Sequence, residues 1–192
     1  MDMPLRTEEA KAYLEEKYHE SFALYSSLSI GLNQPYCELF FQSASHPEFT
    51  VKVYDDYQTF SDNYFGVLVR DQVQKMIDRA AEGIPCEIKA FFRFQAGSFP
   101  SAYSDAASFP EYLAADPSCF SVSLFVFSDA ADPCEEAVWD TLCGHLREEH
   151  ITGSLNVYRL DRNDYLAITA DTFDEYLSKH YSLQAAYSAY IR

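Results

Sequence analysis

Residues 119–127 read Cys119-Phe120-Ser121-Val122-Ser123-Leu124-Phe125-Val126-Phe127, the most apolar strand-like run in the chain. A run this rich in Val, Leu and Phe suits a strand covered on both faces, and so predicts the centre of a sheet. Directly after it, Asp132-Pro133-Cys134-Glu135 has the form of a helix start, with an N-cap, proline at the first helical position and glutamate at the third. Ala137, Val138, Leu142 and Leu146 then supply a buried face through to about Glu149. Strands over 155–160 and 165–169 flank Asp161-Arg162-Asn163-Asp164, which reads as a hairpin turn. A last helix starts at Asp171 or Thr172 and shows Phe173, Tyr176 and Leu177, and the tail 183–191 reads as one more aromatic turn.

Working back toward the N-terminus, Pro85 launches an aromatic strand over 86–94. Ahead of it lies a helix from Asp62-Asn63 to Gly83 whose apolar face is Phe65, Leu68, Val69, Val73, Met76, Ile77 and Ala80. Two strands, 36–42 and 49–54, precede that helix and are joined through 43–48. The first helix is capped by Thr7, carries Glu8 and Glu9 at its positive end, and sets Ala10, Tyr13, Leu14, Lys17 and Tyr18 at helical spacing. Residues 95–118 are rich in Gly, Ser, Pro, Ala and Asp and read as an irregular loop with a short helix around 109–115.

The order is α-β-β-α-β-loop-β-α-β-β-α. It predicts an α+β fold with a mixed, mainly antiparallel sheet covered by helices. The expected organisation is a single domain, 1–192, or two α/β halves, 1–96 and 117–192, joined by the 95–118 loop. An apolar fraction of 48% excludes a disordered chain.

The 53 residues from 94 to 146 contain no Lys or Arg but eight carboxylates: Asp105, Glu111, Asp116, Asp129, Asp132, Glu135, Glu136 and Asp140. With a formal charge of −16, the chain repels phosphate backbones and anionic lipid and attracts basic proteins. No direct nucleic-acid or membrane partner is expected. Five cysteines, at 37, 86, 119, 134 and 143, form no disulfide framework by count or spacing, and reduced buried thiols in the cytoplasm are expected. Met1-Asp2-Met3-Pro4 leads straight into a helix and is not read as a secretory leader.

Signals of catalysis are weak. Cys143, His145, Glu149 and His150 share a helix, but imidazoles five residues apart diverge and do not make a zinc motif. Asp55-Asp56 and Asp62-Asn63 flank a loop without the alternating ligands of a calcium site, and suit turns and caps. Cys134 sits at a helix start, yet Asp132, Glu135 and Glu136 oppose thiolate formation there. No glycine-rich phosphate loop, dinucleotide fingerprint or serine elbow occurs, and no cofactor or metal is expected.

Tyr13-Leu14-Glu15-Glu16-Lys17-Tyr18 and Asp62-Asn63-Tyr64-Phe65-Gly66-Val67-Leu68-Val69-Arg70-Asp71 form a recognisable pair. Together they resemble a small α+β domain recurring in uncharacterised proteins of Gram-positive bacteria, with a Tyr-Leu-x-x-Lys-Tyr helix followed by an Asp-Asn-Tyr helix start. The resemblance spans about the first ninety residues and implies a scaffold without known catalytic residues. Relatives of this kind are often secreted or lipid-anchored.

The expected function is a non-enzymatic protein-binding module, immunity- or inhibitor-like, using Asp105, Glu111, Asp116, Asp129, Asp132, Glu135 and Glu136 against a basic protein. One alternative is a ligand-binding or enzymatic pocket lined by Tyr103, Tyr112 and Phe92 under the 95–118 loop. Another is a DNA-mimic inhibitor with carboxylates at phosphate-like spacing.

Overall fold

The computed structural model describes residues 3–28, 37–56, 58–94, 111, 121–131 and 134–192. Among them the chain forms helices α1 (Met3–Tyr18), α2 (Tyr64–Ala81), α3 (Glu136–Glu148), α4 (Arg162–Ala167) and α5 (Phe173–Lys179). The strands are β1 (Phe22–Leu28), β2 (Cys37–Ser43), β3 (Thr50–Asp55), β4 (Phe60–Asp62), β5 (Ile88–Phe94), β6 (Ser121–Asp129), β7 (Thr152–Leu160) and β8 (Tyr187–Ile191). The fold is α+β, with mainly antiparallel strands and helices packed on them. Where one sheet was expected, the strands make two, β1-β2-β3-β4 and β5-β6-β7-β8. They belong to two compact units, Met1–Arg70 with Phe99–Ala115, and Asp71–Ser98 with Asp116–Arg192.

In the first unit, alternation in β2 and β3 puts Leu39, Phe41, Val51 and Val53 on one face. Ala10, Leu14 and Tyr18 of α1 pack there with Phe22 and Tyr64, so the predicted α1 stripe is the core face. Two strands escaped the sequence reading. β4 has three residues, and β1 is exposed along most of its length, so neither carries a burial-driven alternation. The pairing of β1 with β2 also slips between Leu24 and Ser26, a bulge.

In the second unit, β6 is the inner strand its composition predicts, antiparallel to β5 and parallel to β7 through the α3 crossover. Val122, Leu124 and Val126 point to one face, while Phe125 and Phe127 point to the other. The second face holds Leu160, Tyr165, Ile168 and Phe173, with Phe91 stacked on Phe173 at 5.3 Å. The expected hairpin over 155–169 is absent. Asp161 caps α4 instead, its side chain accepting from the amides of Asn163 and Asp164 at 3.0 Å. Polar Asp-Arg-Asn-Asp suits either a turn or a cap, and the three-residue spacing of buried Tyr165 and Ile168 settles it as a cap. The tail is a strand rather than a turn: β8 pairs antiparallel with β7.

Lys89 of β5 closes the other end of α4. Its Nζ donates to the carbonyls of Tyr165 at 2.7 Å, Leu166 at 3.2 Å and Ile168 at 2.9 Å. A cation there satisfies orphan carbonyls and opposes the negative end of the helix dipole. Lys89→Met is therefore expected to cost about 1.5–3 kcal/mol in urea unfolding, the range for hydrogen bonds to a charged group.

The cysteines are not all the reduced thiols that their count and spacing predict. Cys86 and Cys134 form a disulfide with Cα atoms 5.9 Å apart, across a sequence separation of 48. Closing a loop of that length stabilises by about 2–4 kcal/mol. Cys37 and Cys143 are buried and form no disulfide, and Cys119 lies outside the described residues. Helix α3 starts at Glu136 with Glu135 as N-cap, later than the Asp132 start expected; Asp132 and Pro133 lie outside the described residues.

Candidate functional site

The two sequence motifs of the first unit meet at one buried carboxylate. Asp62 Oδ2 accepts from Tyr13 Oη at 2.7 Å and Lys17 Nζ at 2.6 Å. Its Oδ1 accepts from Tyr18 Oη at 2.7 Å and from the Tyr64 amide at 2.9 Å. An ionised carboxylate offers about four lone-pair positions, and all four are occupied. Burial, and then the charge of Asp62, push the Tyr13 and Tyr18 phenols far above their ordinary range, so both remain donors. Asn63 Oδ1 accepts from the Lys52 amide at 2.8 Å, and Tyr64 Oη lies 2.7 Å from Ser43 Oγ, which donates to Glu20 at 2.6 Å. This closed network ties α1 to the β4–α2 junction. Its chemistry is structural.

The loop acids have local roles as well. Asp55 accepts a two-pronged bond from Arg6, and Asp56 Oδ1 accepts from the amides of Gln58 at 2.9 Å and Thr59 at 2.6 Å. His145 and Glu149, from the cluster not read as a zinc motif, take other partners. His145 Nδ1 lies 2.9 Å from the Ala80 carbonyl, and Glu149 pairs with Arg79 through Nη2 at 2.5 Å. Among the described residues no three His, Cys, Asp or Glu side chains come together as a metal site.

The acidic run divides. Asp129 is not a surface charge: it is 6% exposed, and its Oδ2 lies 3.1 Å from Arg162 Nη1. That arginine follows the cation-free segment in sequence, which is why counting charges along the chain missed the pair. Glu111, Glu135 and Glu136 are exposed, whereas Asp105, Asp116 and Asp132 lie outside the described residues. Of the alternative pocket residues, Tyr103 and Tyr112 also lie outside them. Phe92 is 1% exposed and meets Phe94 edge to face at 5.0 Å, inside the core rather than on an open wall.

Helix α3 gathers several exposed acids on one side. Trp139, Leu142, Cys143 and Leu146 occupy its buried side. Glu136, Asp140 and Glu148 stand on the solvent side, with Ala137, Thr141 and one cation, Arg147. Glu135 precedes them at the N-cap. None of these four carboxylates has an ion-pair partner among the described residues; Asp140 accepts from Tyr187 Oη at 2.7 Å. Glu148 lies beyond the cation-free segment, and only helical spacing from Glu136 and Asp140 could have placed it with them.

No family model matches the chain, and neither does any curated protein. Among solved structures it is similar to a DUF5037 family protein from Ruminococcus gnavus, at 17% identity and a TM-score of 0.50. The match covers 94% of this chain and 82% of that one. At this identity the likeness shows a shared fold, and the neighbour comes from a family of unknown function. Among the described residues no helix is long and apolar enough to cross a membrane.

Proposed function

We propose that this protein is a non-enzymatic binding module that takes a basic protein through the solvent side of α3, in the manner of an immunity or inhibitor protein. The supporting observation is the placement of Glu135, Glu136, Asp140 and Glu148, exposed and outside any ion pair among the described residues, on a helix held by Trp139 and Leu146. A rigid helix presents charge at fixed positions, and a chain of net charge −16 speeds the encounter with a cation-rich partner. Arg147 on the same side would favour a partner that presents a carboxylate among its bases.

Changing the four carboxylates to Asn or Gln together is expected to weaken capture of a lysine-rich protein by about 10- to 100-fold at low salt, each exposed contact contributing a few tenths of a kcal/mol to one. Surface plasmon resonance at two ionic strengths checks this. The unsubstituted chain should lose most of its advantage in high salt. Equal capture by both chains would remove this reading.

A further inference from the structure

The first turn of α3 lacks a side-chain cap, since Glu135 accepts no hydrogen bond from the helix amides through its carboxylate. Its tether is covalent. Cys134, immediately before that residue, is 5% exposed and bonded to Cys86, two residues ahead of β5. The Cys134 carbonyl also accepts from Arg159 Nη2 at 3.3 Å. From Trp139 onward the helix is held another way, by four side chains in the core. We infer that the Cys86–Cys134 bond is a redox-sensitive clamp that fixes the acidic first turn of α3, so that the oxidised chain presents Glu135 and Glu136 and the reduced chain does not. Its consequence for binding rests on the role proposed for that helix.

The chemistry is a two-electron exchange. A dithiol reductant attacks the disulfide through its thiolate, the S–S bond breaks, and the reductant leaves as its own disulfide while its two protons end on Cys86 and Cys134. Cys86 is the more exposed of the two and is the sulfur first reached. Cys37 and Cys143 are buried thiols outside any disulfide, so among the described residues neither is placed to exchange with the pair. Disulfides persist in oxidising compartments and are opened in reducing ones, which makes the state of this turn a report on its surroundings.

The full chain, untreated and treated with dithiothreitol, tests the clamp. Alkylation without reductant should leave Cys86 and Cys134 unmodified in the untreated chain. Hydrogen exchange over 134–141 should rise on reduction, while 142–148 and β6 keep their protection. The Cys86→Ser, Cys134→Ser chain should exchange as the reduced form does and ignore the reductant. Alkylation of both cysteines in the untreated chain, unchanged exchange over 134–141, or loss of protection throughout the unit would each overturn the clamp. Polylysine serves as the binding probe, and reduction should weaken its capture by up to about tenfold, the share of two exposed charges. If exchange responds as stated and neither form captures polylysine, the clamp is upheld and the binding role is what fails.

Discussion

Replacing Asp62 with alanine is expected to remove about 3–5 kcal/mol of stability, the cost of stranding one partner of a buried ion pair. The substitution leaves Lys17 Nζ without the carboxylate at 2.6 Å, takes the acceptor from two phenols, and frees the Tyr64 amide. Asp62→Asn keeps the volume and one acceptor and should cost less. Adding Lys17→Met to Asp62→Asn should recover part of the loss, because no buried charge then remains unpaired. Urea unfolding of the three variants decides it: a loss under about 1 kcal/mol for alanine would mean that solvent reaches the carboxylate.

The second large effect is at Gly153. Its φ of +128° is one that side-chain-bearing residues rarely adopt, and a β-carbon there would lie 1.9 Å from the Val122 carbonyl oxygen and 2.8 Å from its nitrogen. Val122 is the register partner of Gly153 across the parallel β6–β7 pair, so any side chain pushes two inner strands apart. Gly153→Ala is expected to lose more than about 4 kcal/mol or to fail to fold. Gly144 is the control. A β-carbon there meets nothing within 4 Å, and alanine inside α3 should gain about 0.5–1 kcal/mol. Comparable unfolding midpoints for the two variants would contradict the geometry.

Elements with one buried face were readable from the sequence: α2, β2 and β3 stand close to where periodicity put them, because burial imposes that periodicity. The α1 stripe is right, although the helix starts at Met3, ahead of the Thr7 cap expected. β6, covered on both faces, was legible from its unbroken apolar run. Strands without such a face were not. β1 is exposed along most of its length, and β8 alternates over only five residues with Ile191 alone fully buried. At Asp161 the residues permitted two structures, and packing of Tyr165 and Ile168 chose between them. Lys17 stood in an apolar stripe, a legible oddity whose explanation, Asp62, lies 45 residues away. The Cys86–Cys134 bond was hidden by an odd cysteine count, since spacing alone does not say which thiols meet. The acidic run was plain in the sequence. That Asp129 is neutralised depends on tertiary position, which charge counting does not carry, whereas the place of Glu148 beside Glu136 and Asp140 follows from helical spacing.

The slip in the β1–β2 pairing at Leu24 and Ser26 bears on how this molecule behaves at high concentration. A foreign strand docking along a border needs donors and acceptors at an even pitch, and one extra residue upsets that pitch in mid-strand. Leu24, Tyr25 and Leu28 are exposed on this same strand, so greasy side chains and an interrupted backbone template coincide. Among the described residues β1 is paired on one side only, so the irregularity is expected to hinder open-ended stacking of one chain upon the next.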